Sequence, residues 1–273
     1  MSGRRSRRSP SHLVNWGWII LFALGLIAAA IGFTYVYVSA RSQLVELDDR
    51  LCPVVGAASQ TIILIDTTDA IADVTKLNIQ TLLRDTASGI QRGGLFEIRA
   101  LTSAVPYTKE LFSLCNPGNG GDLSAFTGNA ALARERWQAG FGQPLLVALE
   151  KAVEANKADS SPIMAGIQSI AVSHLVAQKT RAVPSRLIVV SDMFENTEFF
   201  SHYRGATDFD AFKKSPAANR FATDLAGSDV SIWLIRRAKS PVDSVALMAF
   251  WQQWIDYNHG VFSSAKSLQG VEG

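Results

Sequence analysis

The sequence predicts an α/β protein: a doubly wound, Rossmann-like and mostly parallel sheet flanked by helices, preceded by one transmembrane helix. From residue 60 onward, short apolar runs alternate with segments of helical periodicity, which is the pattern of a parallel sheet with crossover helices. Residues 13–40 form an uncharged apolar run. We therefore expect one sizeable domain at residues 60–262, behind an N-terminal membrane segment.

The apolar run has the length and the flanks of a membrane helix. Residues 13–40 contain no Asp, Glu, Lys or Arg, and a bilayer core needs about 20 apolar residues in a helix. We predict a transmembrane helix there and a stalk at residues 41–59. A cleaved signal peptide stays open, although the run exceeds the usual signal core of about 7–15 residues. Aromatic residues typical of membrane interfaces lie near both ends: Trp16, Trp18, Tyr35 and Tyr37.

The charges that flank this run predict its orientation. Residues 1–12 carry four arginines and no acid, whereas the segment after residue 40 mixes both signs. The positive-inside rule then places the N-terminus in the cytoplasm and the domain on the periplasmic or extracellular side of an inner or plasma membrane. The formal charge of +2 reflects these arginines, so it does not predict nucleic-acid binding.

The two cysteines both follow the membrane segment. Cys52 precedes the first predicted strand, and Cys115 lies in the loop region expected after the second. An even cysteine count in an exported domain favours a disulfide, which would stabilise this chain by roughly 3–4 kcal/mol in the chain-entropy model. Two free buried thiols stay open as the alternative. Two cysteines without histidines beside them do not form a zinc site.

The other elements follow from the spacing of apolar residues. The second strand alternates apolar and polar residues, which predicts an edge or half-covered position. Residues 102–143 contain Pro and Gly-rich stretches that predict turns, and the polar residues 263–273 predict a disordered tail. Strands are expected at 60–66, 95–101, 186–191 and 230–235, and helices at 70–91, 145–156, 162–178, 217–227 and 243–258.

Polar residues follow two of these strands and open one helix. Asp66 ends the first strand, Asp192 follows the third, and Ser161 precedes Pro162 at the start of a helix. In open α/β sheets, ligands bind where the carboxyl ends of the strands meet. Oxygen atoms gathered at that edge suit a hard divalent cation. The alternative is that the two carboxylates cap helix N-termini.

This order of motifs resembles the von Willebrand factor A-type domain, over residues 60 to the C-terminus. In that family a strand ends in Asp-x-Ser-x-Ser, a Thr-Pro turn adds a hydroxyl, and a later strand ends in Asp. These residues hold Mg²⁺ in a metal-ion-dependent adhesion site that binds an acidic group of a partner. Ala70 stands where the family has its second Ser, so the site is degenerate. The resemblance implies Mg²⁺, or Mn²⁺ or Ca²⁺, on Asp66, Thr68, Ser161 and Asp192.

The resemblance implies a membrane-anchored protein-interaction module, a component of an envelope protein complex. It would bind a protein partner at the C-terminal edge of the sheet, with or without a divalent cation. Residues 193–216 are rich in aromatic side chains. They form either a partner-binding surface or a packed cover over the sheet edge. The candidate partner-binding residues are Phe194, Phe199, Phe200 and Tyr203.

Two other classes of protein share parts of this pattern. A cell-wall-binding or stator-like anchor has the same layout of one helix and one exported domain. A hydrolase fits less well, because Thr68 stands where the haloacid-dehalogenase phosphatase motif needs its second Asp. No Ser-His-Asp arrangement and no Gly-x-Ser-x-Gly elbow is readable either. We therefore do not expect an enzyme.

Overall fold

The computed structural model describes residues 11–42, 46–121, 129–154, 158–179, 182–237 and 240–268. One compact unit contains helix α1 (Ser11–Ser42), and a second, the domain, begins at Leu47. The N-terminal arginines that predict the orientation lie outside the described residues. Residues 43–45 of the predicted stalk lie outside them as well.

Helix α1 contains a segment of 23 residues, Trp16–Val38, that is long and apolar enough to cross a membrane. At about 1.5 Å per residue such a helix exceeds the roughly 30 Å of a bilayer core. Its apolar side chains are exposed all along the segment. A helix with no polar face suits lipid rather than the surface of a soluble domain, so α1 has the properties of a membrane anchor or a signal sequence.

The domain is built on a six-stranded sheet in the order β3-β2-β1-β4-β5-β6. Strand β3 pairs antiparallel with β2, and the other neighbours pair in parallel. This confirms the predicted doubly wound, mostly parallel sheet. The strands are β1 (Gln60–Ile65), β2 (Leu95–Leu101), β3 (Thr108–Cys115), β4 (Ser185–Ser191), β5 (Asp229–Leu234) and β6 (Val261–Ser267).

The central strand β1 shows why the sheet is covered on both faces. Successive side chains of a strand point to opposite faces. Ile62 and Leu64 belong to one apolar core, and Ile63 and Ile65 belong to the other. All four side chains are fully buried. Continuous apolar sequence of this kind is typical of parallel strands with helices on both sides.

The helices divide between these two cores. Helices α2 (Asp73–Ser88) and α4 (Gln143–Ala152) bury apolar residues in the core around Ile63. Helix α3 (Ala130–Trp137) joins α4 through a π-helical turn. The opposite core contains side chains from α5 (Ile163–Ile170), which runs through a π-helical turn into α6 (Val176–Lys179), and from α7 (Phe209–Lys213), α8 (Pro216–Arg220) and α9 (Ser244–Tyr257).

Strand β3 arises from a region predicted to contain turns, and it corrects the position of β2. Because β3 covers the outer side of β2, the edge position, one of the two alternatives predicted for residues 95–101, is wrong. The polar residues that suggested an edge have another cause. Glu97 is fully buried and pairs with the partly buried Arg99, while His174 approaches the same carboxylate at 3.4 Å. The alternation therefore reflects a polar cluster rather than solvent.

The prediction of a disordered tail is wrong for residues 263–267. They belong to β6, which pairs with β5 from Asp229 to Leu234. The strand was missed because its side chains are mostly exposed and polar, as is common at a sheet edge. Its backbone pairing, not apolar burial, defines it. Residues 269–273 of the predicted tail lie outside the described residues.

The predicted disulfide is confirmed: Cys52 and Cys115 are bonded, with an S–S distance of 2.07 Å. Cys115 is the last residue of β3 rather than part of a loop. Its backbone N–H also donates to the carbonyl of Arg50, at 2.9 Å. These links hold the segment before β1 against the sheet. The domain therefore begins at Leu47, not at the predicted residue 60, and the predicted stalk is correspondingly shorter.

Candidate functional site

The Asp66 carboxylate is the centre of a polar cluster at the C-terminal edge of the sheet. Its Oδ1 accepts hydrogen bonds from the backbone N–H and the hydroxyl of Thr68, at 3.0 and 2.6 Å. Its Oδ2 accepts from the hydroxyls of Ser161 and Ser191, at 2.9 and 2.8 Å. A carboxylate has about four acceptor positions. All of them are used here, so this buried group is satisfied by the chain itself.

Ser161 is held in place by the segment that follows β4. Its backbone N–H and carbonyl pair with the carbonyl and N–H of Asn196, both at 3.0 Å. The side chain of Asn196 in turn donates to the carbonyl of Asp159, at 3.1 Å. The turn before α5 and the segment after β4 are thereby bound together. This pairing aims the Ser161 hydroxyl at the end of β1.

Asp192 is neutralised by an arginine from the next strand connection. Its Oδ1 accepts from the backbone N–H of Phe194 at 2.9 Å, and its Oδ2 accepts from Nε of Arg237. The Nη2 of Arg237 also donates to Oδ2 of Asp69. One guanidinium therefore bridges two carboxylates. Arg237 lies three residues beyond the end of β5, at the same edge as Asp66 and Asp192.

The electrostatics of this bridge follow from burial and charge together. Burial raises the pKa of Asp192 to about 6, the charge of Arg237 opposes the rise, and the charge of Asp66 adds to it. Burial acts to lower the pKa of Arg237, but the carboxylates of Asp192 and Asp69 outweigh it and raise that pKa. The guanidinium therefore stays charged and compensates the edge.

A second polar pair lies deeper, beneath the edge. Oε2 of Glu195 accepts from the backbone N–H of Met164 in the first turn of α5, at 2.8 Å. The backbone N–H of Glu195 donates to Nδ1 of His202, at 3.0 Å. This bond leaves the proton of the neutral imidazole on Nε2. Burial raises the pKa of Glu195 to about 8 and lowers the pKa of His202 to about 3, so both side chains are mainly uncharged at neutral pH.

The predicted aromatic surface divides into two pairs. Phe194 and Phe200 are 4% and 8% exposed and belong to the core, so their prediction as partner-binding residues is wrong. Phe200 stacks on Phe250 of α9, with 5.3 Å between ring centroids. The two rings fill the space between this segment and the helix. Phe199 and Tyr203 are 46% and 47% exposed, which leaves both available at the surface.

A cavity of about 540 Å³ lies beside the Ser161 turn. Ser160 and Pro162, which flank that serine, form part of its wall. Phe199 forms another part, and the Arg220 guanidinium lies over its ring at 5.1 Å from the centroid. The opening is thus lined by both apolar and charged groups, next to the cluster around Asp66.

The four residues predicted as metal ligands are brought to one edge, but their arrangement does not fit a divalent cation. The oxygens of Asp66 are saturated by hydrogen bonds, and those of Asp192 are held by a backbone N–H and by Arg237. The guanidinium already supplies positive charge, and Ala70 offers no side-chain oxygen. In the described part of the chain, no group of three or more His, Cys, Asp or Glu side chains is placed to hold a metal.

Several residues of this edge were not anticipated from the sequence: Ser191, Asp69, Arg237, Glu195 and His202. Arg237 carried a usable signal, because it closely follows a predicted strand, as Asp66 and Asp192 do. Residues that follow parallel strands lie at the same edge of the sheet, whether they are acidic or basic. Glu195 and His202 gave no such signal, since their contact depends on how an irregular segment folds.

No family model and no curated protein matches this chain. Similar solved structures include the ArnB paralog VWA2 from Sulfolobus acidocaldarius (10% identity, TM-score 0.39), the human COPII-coat protein Sec24c (10%, 0.43) and a von Willebrand factor type A protein from Catenulispora acidiphila (13%, 0.37). These matches cover 78%, 80% and 78% of this chain, and 41%, 30% and 39% of those structures. The chain therefore spans less than half of the length of each of these structures.

The raised pKa of Glu195 gives a pH dependence that can be tested. The folded state binds a proton here that the unfolded state releases above its ordinary pKa of 4.5. The stability from this group is therefore fully present below about pH 4.5 and is lost as the pH rises through about 8. In Glu195→Gln the amide oxygen still accepts from Met164, and the group does not titrate. We expect its melting temperature to fall less than that of the wild type between about pH 6 and about pH 9.

The measurement is circular dichroism of the detergent-solubilised chain over that pH range. Glu198→Gln is the matched control, because Glu198 is an exposed carboxyl in the same segment. The control should follow the wild type. Parallel profiles for the wild type and Glu195→Gln would show that Glu195 keeps an ordinary pKa in the folded chain.

Proposed function

We propose that this chain is a membrane-anchored protein-interaction module, a component of an envelope protein complex, whose partner binds at the C-terminal edge of the sheet. The proposal rests on the state of Arg237. Two carboxylates fix its side chain in one orientation, while 31% of that side chain stays exposed. Ordered arginines are common hot spots of protein interfaces. A fixed side chain loses little conformational entropy when a partner binds.

Exposed aromatic side chains near Arg237 support this assignment. Tyr203 is close enough to Asp192 and Arg237 for their charges to influence the pKa of its phenol, which burial raises. Phe199 forms one wall of the cavity beside Ser161. Aromatic residues and arginine are enriched at interfaces, and half-exposed rings offer apolar area that a partner can cover. The proposed contact surface is therefore Tyr203, Arg237 and the cavity around Phe199.

The proposal assigns binding rather than catalysis to this edge. The imidazole of His202 is fully buried among the rings of Phe200, Phe250 and Trp251. It is therefore enclosed and does not meet a substrate at the surface. The hydroxyls of Ser161 and Ser191 donate to Asp66, which holds the turn and the strand in place. We assign these groups a positioning role.

The proposed anchor is α1, with the domain on the far side of the membrane. We expect a reporter that is active only after export to be active when fused after Gly273 of the full chain. The reason is the excess of arginine on the N-terminal side of the apolar segment. N-terminal sequencing should also find that the mature protein keeps residues 1–40. Cytoplasmic reporter activity would contradict the orientation, and an N-terminus at Arg41 would contradict the anchor.

The partner surface is tested by site-specific photo-crosslinking in the native membrane. A photoreactive phenylalanine analogue at position 199 or 203 should give the same protein adduct, because both side chains lie on the proposed surface. In affinity measurements with that protein, Phe199→Ala and Tyr203→Ala should each weaken binding by about tenfold if they are hot spots.

Val176 provides the matched control for this experiment. It is also an exposed apolar residue, but it lies on α6, which leads toward the start of β4 rather than its end. The analogue at position 176 should not give the adduct. An adduct from position 176 alone, or full affinity in both alanine variants, would refute the assignment of the partner surface to this edge.

A further inference from the structure

Three carboxylates gather at the C-terminal edge, and they are compensated unequally. Asp66 is satisfied by neutral donors from Thr68, Ser161 and Ser191. Asp192 and Asp69 instead share one cation, the guanidinium of Arg237. Asp192 is buried, and a buried carboxylate without a partner is costly. The edge therefore needs one positive charge at this point.

Arg237 meets this need by geometry as well as charge. Its Nε reaches Asp192 and its Nη2 reaches Asp69, so a single planar group spans two carboxylates that lie on different strand connections. A divalent ion in the same place would need these carboxylate oxygens and several more oxygens around it. If Arg237 stayed in place, the ion would also lie within a few ångströms of the guanidinium, and the two positive charges would repel each other strongly.

We propose that Arg237 is the built-in cation of this edge and that its guanidinium excludes divalent ions from it. The edge is then an ion-pair network in which the positive charge comes from the side chain of Arg237 rather than from a metal ion. Recognition at this edge is insensitive to chelators, whichever partner binds. Removal of the guanidinium leaves Asp69 and Asp192 without a cation, and this opens the edge to a divalent ion.

Calorimetric titration of the detergent-solubilised full chain with Mn²⁺ tests this proposal. The wild type should give no binding heat, and Arg237→Ala should gain heat that disappears when Asp192→Asn is added, because Asp192 is the buried carboxylate that loses its cation. Adding Ala70→Ser to Arg237→Ala should strengthen the binding, since it supplies one more oxygen. Arg236→Ala is the matched control: Arg236 is the exposed neighbour, and its loss should leave the chain unable to bind Mn²⁺.

Circular dichroism covers the case in which Arg237→Ala unfolds. Mn²⁺ should then restore the folded spectrum, because the ion supplies the missing charge only in the folded state. Two results would overturn the proposal. One is Mn²⁺ binding by the wild type that depends on Asp192. The other is an Arg237→Ala chain that neither gains binding heat when folded nor recovers its fold with Mn²⁺.

Discussion

Burial of the Asp66 carboxylate at the end of the central strand constrains the segments around it. A charge taken out of water needs hydrogen bonds, and this one receives them from three separate segments. Thr68 lies just after β1, Ser161 in the turn before α5, and Ser191 at the end of β4. Hydrogen bonds to Asp66 therefore fix these three segments relative to one another at this edge, whereas the sheet itself is held by apolar burial.

Ionisable groups at two depths of this edge differ in their charge state. Asp192 is buried but keeps its charge, because the partly exposed guanidinium of Arg237 is within contact distance. Deeper in the domain, Glu195 and His202 have no charged partner among the described residues, and burial favours their uncharged forms. The same physical cost, desolvation, thus gives an ion pair in one layer and a neutral pair in the next. This layering leaves the guanidinium as the charge presented at the surface.

The sequence was most informative where apolar burial defines an element. Strands β1 and β4 are continuous apolar runs, so their positions and the acidic residues after them could be predicted. Strands β3 and β6 lie at the two edges of the sheet and could not be recognised. The side chains of β6 are mostly exposed, and β3 buries only some of its side chains, in a region where Pro and Gly predict turns. In the segment after β4 the aromatic residues follow no period. The sequence therefore could not separate the buried Phe194 and Phe200 from the exposed Phe199 and Tyr203.

The candidate site was predictable in its carboxylates and in the location of Arg237 after a strand, but not in the contacts of this cation. Asp66 and Asp192 were found because both follow predicted strands. The contacts of Arg237 join residues 45 and 168 positions apart, to Asp192 and Asp69 respectively. Such contacts depend on the direction of one long side chain, which no local pattern encodes. The family resemblance implied a metal at this place, where the structure has the side chain of Arg237.

A double-mutant cycle measures whether Arg237 compensates the charge of Asp192. The free energy of unfolding in urea would be measured for the wild type, Asp192→Asn, Arg237→Ala and the double variant. Arg237→Ala alone leaves a buried carboxylate unpaired, whereas the double variant does not. The two substitutions should therefore be non-additive, with a coupling energy of about 1 kcal/mol or more. Strict additivity of the two single effects would show that Arg237 does not compensate the charge of Asp192.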